Sequence, residues 1–348
     1  MSTQPKFVLP EADPEAALAG LYAGRSLTEA EAEALFAELV AGRLPEPAIA
    51  AMLIALRFKG ESAGELTGAA RALRAADADF PRPDYLFADS CGTGGDGSAS
   101  INVSTAVAFA AAAAGLPVAK HGNRSVTSRC GSADVLERLG AKLDVSADVS
   151  RRTLDEVGIC FLFAPLYHPG LRHAGPVRRM LKVRTIMNMI GPCVNPAEPD
   201  VQLLGVADPA LLEPVARTLA ALGVTRALVV HGAGLDEVAV HGETQAVRVR
   251  DGVLEMATIR PEDAGLERHP VQVLRGGGPE ENAERLKALL MGYGLAAETE
   301  VVALNTGALL LTAGLAADLR DGVGMALQAL GSGEAYRRLK LFVEATHG

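Results

Sequence analysis

The sequence contains no tryptophan, and aromatic residues make up only 4% of its 348 positions. Cysteine is also scarce: four scattered residues indicate neither a disulfide scaffold nor a zinc site built from paired cysteines. The longest apolar stretch, Ala106 to Ala119, is shorter than the roughly 20 residues that a membrane-spanning helix needs. No basic head followed by an apolar core is visible at the amino terminus, so a secretory signal is not indicated. These absences favour a reduced, cytoplasmic globular enzyme.

Acidic residues are missing from two long tracts, 97–133 and 157–197, although the chain as a whole has a net charge of −9. Average usage predicts about four or five acids in each tract. The net charge argues against a dedicated nucleic-acid-binding protein, which usually has a basic footprint. Cations without acidic neighbours favour local binding of an anion over a solvated basic face. The cations of the two tracts are Lys120, Arg124, Arg129, Arg172, Arg178, Arg179, Lys182 and Arg184.

The first 80 residues predict helices without strands. Thr28 with Glu31, and again Ser62 with Glu65, form the capping-box pattern that starts an amphipathic helix. Two prolines near position 82 then interrupt the chain. We therefore expect a smaller, all-helical domain over residues 1–83.

From residue 84 onward, short strand patterns alternate with helical ones. This alternation predicts an α/β domain with a mainly parallel sheet flanked by helices. Val238–Val240 and Ala246–Val249 resemble an antiparallel addition around Gly242. Helical patterns return over the last hundred residues, so the larger domain is expected to extend to residue 348. The predicted parallel strands are Leu86–Ser90, Pro117–Ala119, Ile159–Phe163, Gln202–Val206 and Ala227–Val230.

A glycine-rich loop, Asp89–Gly97, follows the first predicted strand and is the strongest local feature. Its glycines allow backbone N–H groups to approach a phosphate, although a tight packing turn is the alternative. Gly92 to Gly97 also fits the dinucleotide fingerprint GxGxxG. The acid that this fingerprint needs about 20 residues later is absent, and Asp96 would repel a pyrophosphate. The dehydrogenase interpretation is therefore disfavoured. A nucleotide P-loop, and with it a kinase, is also disfavoured, because this loop does not end in Gly-Lys-Ser/Thr.

Two further polar segments follow the glycine loop. Asn102, Ser104 and Thr105 stand at a predicted helix start, where they either cap the helix or help its free N–H groups to bind an anion. The segment from Lys120 to Ser128 holds two cations, an amide and three hydroxyls. Such a composition suits a phosphate clamp, with a solvated surface loop as the alternative.

Arginines of the second acid-free tract and a distal acidic pair complete the candidates. An arginine fork matches a carboxylate, so one of these arginines could hold an acidic co-substrate while others face solvent. Asp236 and Glu237 follow a predicted strand. Such a pair is usually solvated, but on a turn both carboxylates can bind one Mg²⁺, which prefers a few carboxylates plus water and phosphate oxygens.

Taken together, the motifs GTGGD, NVST, KHGNRSVTS and VRTIMNMIGPCVNPA, followed by the distal DE, resemble the anthranilate phosphoribosyltransferases of tryptophan biosynthesis. The resemblance spans nearly the whole chain. It implies Mg²⁺-dependent transfer of phosphoribose from phosphoribosyl pyrophosphate (PRPP) to the amine of anthranilate, with release of pyrophosphate. It also implies a small helical domain of residues 1–83 plus a returning helix near 176–192, and a homodimer formed through that domain.

The matching motif positions also imply roles for single residues. Anthranilate would meet Gly92, Asn123 and Arg178, with Arg178 facing its carboxylate. Magnesium, expected as two ions per monomer, would be held by Ser104, Asp236 and Glu237. No acid or base is assigned, and His121 is better explained as a packing residue than as a proton acceptor. The implied PRPP-binding residues are Gly92, Gly95, Asp96, Ser100, Asn102, Val103, Ser104, Thr105, Lys120, His121, Gly122, Asn123, Arg124, Ser125, Val126, Thr127, Ser128 and Ser132.

Two other functions are compatible with this general fold. A pyrimidine nucleoside phosphorylase cleaves a ribosyl bond with phosphate, but the KHGNR form of the loop and the DE pair favour PRPP. A non-catalytic, nucleic-acid-binding paralogue would have lost the magnesium pair and gained a net basic surface, and neither is found in this sequence.

Overall fold

The computed structural model describes residues 12–125 and 129–348. Within these residues a seven-stranded sheet has the order β3-β2-β1-β4-β5-β6-β7. The first five strands along the chain run parallel, and the last two are antiparallel, so the predicted mainly parallel α/β fold is confirmed. The strands are β1 (Ala88–Gly92), β2 (Val118–Gly122), β3 (Ile159–Phe163), β4 (Val201–Gly205), β5 (Arg226–Gly232), β6 (Thr244–Arg250) and β7 (Val253–Ile259).

The strand order contains a switch point between β1 and β4. Strands β2 and β3 lie in succession on one side of β1, whereas β4 lies on its other side. In such sheets the connections diverge at the carboxyl ends of the strands and leave a crevice that binds ligands. The glycine loop that follows β1 therefore begins at this crevice.

The predicted antiparallel addition was wrong in its first strand. Val238–Val240 forms no strand, and the antiparallel hairpin is built by β6 and β7. The reversal lies at Asp251-Gly252, which have φ angles of 49° and 81° and so suit a tight hairpin turn between two strands. Val238–Val240 is buried without being part of a strand. The side chains of Asn305 and Thr244 bind its backbone groups instead.

Helices cover both faces of the sheet. Along β5, Leu228 and Val230 pack into one apolar core, whereas Ala227 and Val229 pack into the other. No helix in the described part of the chain is long and apolar enough to cross a membrane. The helices are α1 (Pro14–Tyr22), α2 (Glu29–Val40), α3 (Glu46–Lys59), α4 (Ala63–Ala75), α5 (Val103–Ala113), α6 (Ser132–Arg138), α7 (Ala147–Val157), α8 (Ala164–Tyr167), α9 (Gly175–Leu181), α10 (Ile186–Ile190), α11 (Leu212–Ala221), α12 (Pro279–Leu290), α13 (Ala296–Ala313), α14 (Leu319–Gly331) and α15 (Glu334–Thr346).

The amino-terminal helices begin where the capping boxes predict. The Thr28 and Ser62 hydroxyls accept backbone N–H groups of α2 and α4. Glu65 then does more than cap: its fully buried carboxylate pairs with Lys59 at 2.8 Å and accepts the N–H of Leu27 at 2.9 Å. It thus ties the loop before α2 to α3 and α4. The later helices α9 and α10 contact α3 and α4, although they follow β3 in sequence.

Candidate active site

The glycine loop and the acidic pair meet at the switch point. Asp236 accepts a hydrogen bond from the backbone N–H of Gly94, with 2.7 Å between Gly94 N and Asp236 Oδ2. A Cβ at Gly92 would collide with the Asp236 carboxylate, and one at Gly205 would collide with the Asp236 backbone. Glycine is therefore required where β1 and β4 end, because the acidic segment lies directly on both strand ends.

Three carboxylates converge in this crevice. Asp96 lies within hydrogen-bonding reach of Asp236, and Glu237 follows on the same turn. Burial, followed by the charge of Asp96, raises the pKa of Asp236 from 3.8 to about 7. Burial and the neighbouring Asp236 raise the pKa of Glu237 well above its ordinary value. The protein itself therefore does not stabilise the charged forms of these two carboxyls.

Lys120 is the buried cation of the crevice. It lies in the middle of β2 and is only 3% exposed, and its ammonium donates to the Ser90 carbonyl at 2.6 Å and to Ser104 Oγ at 3.1 Å. Its positive charge opposes the effect of burial on the pKa values of Asp89 and Glu237. Lys120 therefore links β1 and β2 to the start of α5.

The start of α5 carries the NVST motif into the same crevice. Asn102 occupies the N-cap position but does not cap the helix with its side chain. It donates instead to the Cys130 carbonyl at 3.2 Å and accepts from Asn282 at 2.9 Å. The buried Thr105 hydroxyl has no hydrogen-bond partner within the described residues, and the Val103 side chain belongs to the core. At this helix start the N–H of Val103 donates to the Ile101 carbonyl at 2.8 Å, and the backbone of Ser104 is hydrogen-bonded to Glu237. The acidic pair thus lies at the positive end of α5.

Several residues of the loop after β2 already have partners within the protein. Asn123 is exposed, and its backbone carbonyl accepts from the Ser132 hydroxyl at 3.4 Å. Gly122 has no room for a Cβ beside Ser132 and Phe161. Arg124 forms an ion pair with Glu137, just beyond the acid-free tract, so its charge is already partnered. Val126, Thr127 and Ser128 lie outside the described residues.

Of the remaining predicted PRPP contacts, Gly95 and Asp96 lie on the glycine loop, where Gly95 has a φ of 76° that favours glycine. Asp96 accepts from the backbone and hydroxyl of Ser98, both at 3.0 Å. Ser100 forms an isolated bridge with Arg275 at the base of this loop. The N–H of Ser125 donates to Asp134 at 3.0 Å, which fixes the end of the loop that follows β2.

The His121 ring faces away from the carboxylates into a chain of buried polar groups. His121 Nε2 lies 2.9 Å from His168 Nε2, and His168 Nδ1 contacts Asp77 just after α4. The Gly191 carbonyl is hydrogen-bonded to the His121 ring, and burial holds the pKa of His121 well below its ordinary value. The His121 ring is therefore held by buried protein groups, and its lowered pKa disfavours the protonated form. The packing interpretation is favoured.

Arg178 is half-buried on α9, and no acidic side chain among the described residues pairs with it. Burial lowers the pKa of its guanidinium, so a carboxylate ligand would relieve an existing cost. Arg172, Arg179 and Lys182 are exposed. Arg184 lies against the glycine loop, with its Cδ 3.0 Å from the position of a Cβ on Gly95.

The cysteines are free, as predicted, with Cys130, Cys160 and Cys193 buried. Burial raises the pKa of Cys193 to about 12 and that of Cys91 well above its ordinary value. Thiolates are therefore disfavoured. Cys91 lies in β1 beside Gln202, whose amide is 3.3 Å from its sulfur, and acts as a packing residue.

Sequence reasoning did not assign site roles to Arg184, His168 or Asp77. Arg184 had one signal, because it is among the cations of the second acid-free tract. The contact of Asp77 with His168 joins residues 91 positions apart and depends on how the helical layer docks on the sheet. No local spacing predicts such a contact.

The crevice suits a magnesium ion only together with a ligand. No group of three or more His, Cys, Asp or Glu residues among 12–125 and 129–348 has the arrangement of a metal site. Yet Asp236 and Glu237 supply hard oxygen donors whose burial is unfavourable without a counter-charge. Mg²⁺ is commonly held by one or two carboxylates plus phosphate oxygens and water, and this donor set fits that pattern.

Comparison with known proteins follows the same division of the chain. A model of the glycosyl transferase family, a/b domain, matches residues 84–336, and a helical bundle domain of that family matches residues 15–76. The anthranilate phosphoribosyltransferase of Sorangium cellulosum is 59% identical over 328 residues, 94% of each chain. That of Thermus thermophilus has a crystal structure that matches with a TM-score of 0.91 at 42% identity, covering 95% of this chain and 99% of that one.

A further structural relative comes from Saccharomyces cerevisiae. This anthranilate phosphoribosyltransferase, in complex with PRPP and Mg, matches with a TM-score of 0.88 at 25% identity, over 97% of this chain and 99% of that one. Fold and site together define a glycosyltransferase-type enzyme with a helical and an α/β part. Within that class, the chain belongs to the anthranilate phosphoribosyltransferase family.

The raised pKa of Asp236 predicts how the free energy of unfolding depends on pH. An acid whose pKa rises on folding, here from 3.8 to about 7, stabilises the native state below about pH 4 and loses that contribution as the pH rises to about 7. Asp236→Asn should therefore stabilise the ligand-free protein at pH 8 by roughly 1–3 kcal/mol, after allowance for partial solvent exposure, and by much less at pH 4.5. Urea unfolding at both pH values measures this difference.

The matched control is Asp144→Asn, at an exposed position away from the crevice. Its effect on the free energy of unfolding should be small and the same at both pH values. An Asp236→Asn variant whose effect is equally independent of pH would contradict the account of this carboxyl.

Proposed function

We propose that the protein transfers phosphoribose from PRPP to the amine of anthranilate, giving N-(5-phosphoribosyl)anthranilate and pyrophosphate, as a step of tryptophan biosynthesis. The observation that carries this proposal is the convergence of Asp236 and Glu237 with the glycine loop and Lys120 at the switch point of the sheet. Two carboxylates beside a glycine-rich loop and a buried lysine are suited to binding a diphosphate together with a divalent cation.

The diphosphate of PRPP would lie between the glycine loop and the start of α5. The positive end of the α5 dipole favours an anion there, and the glycines of the loop let a ligand approach its backbone closely. Breaking the bond between C1 and the diphosphate leaves negative charge on the leaving group and positive charge on the sugar. Lys120 is already oriented by Ser90 and Ser104, so it can stabilise the leaving group without reorganising.

Asp236, Glu237 and the Ser104 hydroxyl would hold Mg²⁺, which we expect at two ions per monomer. The bound metal would neutralise negative charge on the diphosphate oxygens as that group leaves. The chain's own part is to place both carboxylates in the crevice, where burial raises their pKa values and a bound cation would favour their ionised forms.

Anthranilate would enter beside the end of β1, with its carboxylate on Arg178 and its ring near Gly92 and Asn123. A half-buried guanidinium without an acidic partner is suited to this bidentate role. The aromatic amine is already neutral at pH 7, so it needs orientation more than activation. We assign no base, and the buried contacts of the His121 ring with His168 and Gly191 support that choice.

We further propose that residues 1–83 with 176–192 act as a small helical domain against the remainder, since α9 and α10 pack on α3 and α4. We also propose a homodimer formed through this domain. Phe58 and Met180 are 86% and 66% exposed, and the helices α3 and α9 that carry them contact each other. The reduced cysteines support a cytoplasmic location.

The activity is tested by the decay of anthranilate fluorescence on addition of PRPP and Mg²⁺. With PRPP in excess we expect the anthranilate signal to be lost completely, and with PRPP limiting we expect a loss in proportion to the PRPP added. No loss is expected when the metal is chelated. Folded protein that leaves the fluorescence unchanged would contradict the proposal. Phosphorolysis of thymidine or uridine would instead favour a nucleoside phosphorylase, and salt-sensitive DNA binding would favour the non-catalytic paralogue.

Arg178→Ala tests the carboxylate contact. We expect the KM for anthranilate to rise at least tenfold, because a charge-assisted bidentate contact is lost, while the KM for PRPP changes less than twofold. Steady-state kinetics with each substrate varied in turn give both constants. Arg179→Ala, which removes an exposed arginine from the next position of α9, is the control and should change neither. Equal increases in both KM values would refute the assigned role.

A further inference from the structure

Asn305 is a fully buried amide in the middle of α13, a helix whose inward residues are almost all apolar. A buried amide without hydrogen bonds is unfavourable, so its partners explain its presence. Asn305 Oδ1 accepts from the N–H of Val238, and its Nδ2 donates to the carbonyls of Val238 and Val301, each at 2.8 Å. Only one orientation of the amide satisfies this set, because the N–H needs an acceptor and the carbonyls need donors.

Val238 directly follows the acidic pair. It belongs to a buried segment that forms no strand, so no ladder of backbone hydrogen bonds fixes its position. Asn305 supplies both bonds that a neighbouring strand would otherwise supply to this residue. One residue further on, the N–H of Ala239 donates to the Thr244 hydroxyl at 2.9 Å. Side chains from α13 and β6 therefore replace a strand at this point.

The acidic pair needs such a restraint. Asp236 and Glu237 repel each other and Asp96, and an unrestrained turn would relieve this repulsion by moving its carboxylates apart and toward solvent. On the far side, Asp236 is held by the N–H of Gly94 and by close contact with Gly205. Asn305 closes the opposite side of the turn.

We propose that Asn305 is a positioning residue that fixes the backbone of the Asp236–Glu237 turn and thereby sets the geometry of both carboxylates toward the metal-bound diphosphate. This inference rests on the proposed function. Mg²⁺ demands near-octahedral geometry, and groups that orient metal ligands typically contribute 10- to 100-fold to metal affinity. Asn305 itself touches neither substrate nor metal.

The test is a calorimetric titration of Mn²⁺ or Mg²⁺ into protein with saturating PRPP, which needs no turnover. Asn305→Leu keeps the volume and removes all three hydrogen bonds. We expect metal affinity to fall at least tenfold, while the KM for anthranilate at saturating metal changes less than twofold. The control is Thr306→Val on the same helix, which removes a buried hydroxyl that has no hydrogen-bond partner among the described residues. It should leave the affinity unchanged.

Wild-type metal affinity in a folded Asn305→Leu variant would overturn the inference alone. If wild-type protein bound no metal in the presence of PRPP, the proposed function would fall and this inference with it. Should Asn305→Leu not fold, Asn305→Ser decides, because the shorter side chain loses both bonds to Val238 and can retain only the one to the Val301 carbonyl. A tenfold or greater loss of metal affinity in that variant supports the positioning role, and an unchanged affinity overturns it.

Discussion

Negative charge gathered at the ends of two parallel strands is the constraint around which this molecule is arranged. Asp236, Glu237 and Asp96 share one crevice, and the pKa values of Asp236 and Glu237 rise because burial disfavours their charged forms. Lys120 supplies the buried positive charge nearby. Such an arrangement opposes folding and is tolerated because it creates a place for a cation and its anionic ligand.

The surrounding structure holds that charge in place. Glycines end β1 and β4 because the acidic turn lies directly against both strands. Asn305 reaches from α13 to the residue after the pair, and Lys120 connects β2 with the start of α5. The elements that form the crevice therefore come from widely separated parts of the chain. The sheet brings them together because parallel strands place their carboxyl ends at one edge.

Much of this arrangement could be predicted from local sequence. Each of the five predicted parallel strands overlaps an observed one, and the capping boxes at Thr28 and Ser62 mark true helix starts. The glycine loop and the acidic pair were both recognisable because their chemistry is carried by adjacent residues. The predicted position of the hairpin is wrong because the strand-like pattern of Val238–Val240 reflects burial alone, whereas the chain reverses at Asp251-Gly252.

The remainder depends on contacts that local sequence does not encode. Arg124 is partnered by Glu137 only because α6 folds back beside the loop, and Asp77 meets His168 only when the helical layer docks on the sheet. Calorimetry of PRPP binding tests most directly whether the crevice takes the diphosphate together with a cation. Wild-type protein should bind PRPP with Mg²⁺ and far more weakly without it, and the double variant Asp236→Asn with Glu237→Gln should lose the metal dependence. PRPP binding that is equally tight without the metal, or an unchanged metal dependence in the double variant, would contradict the account.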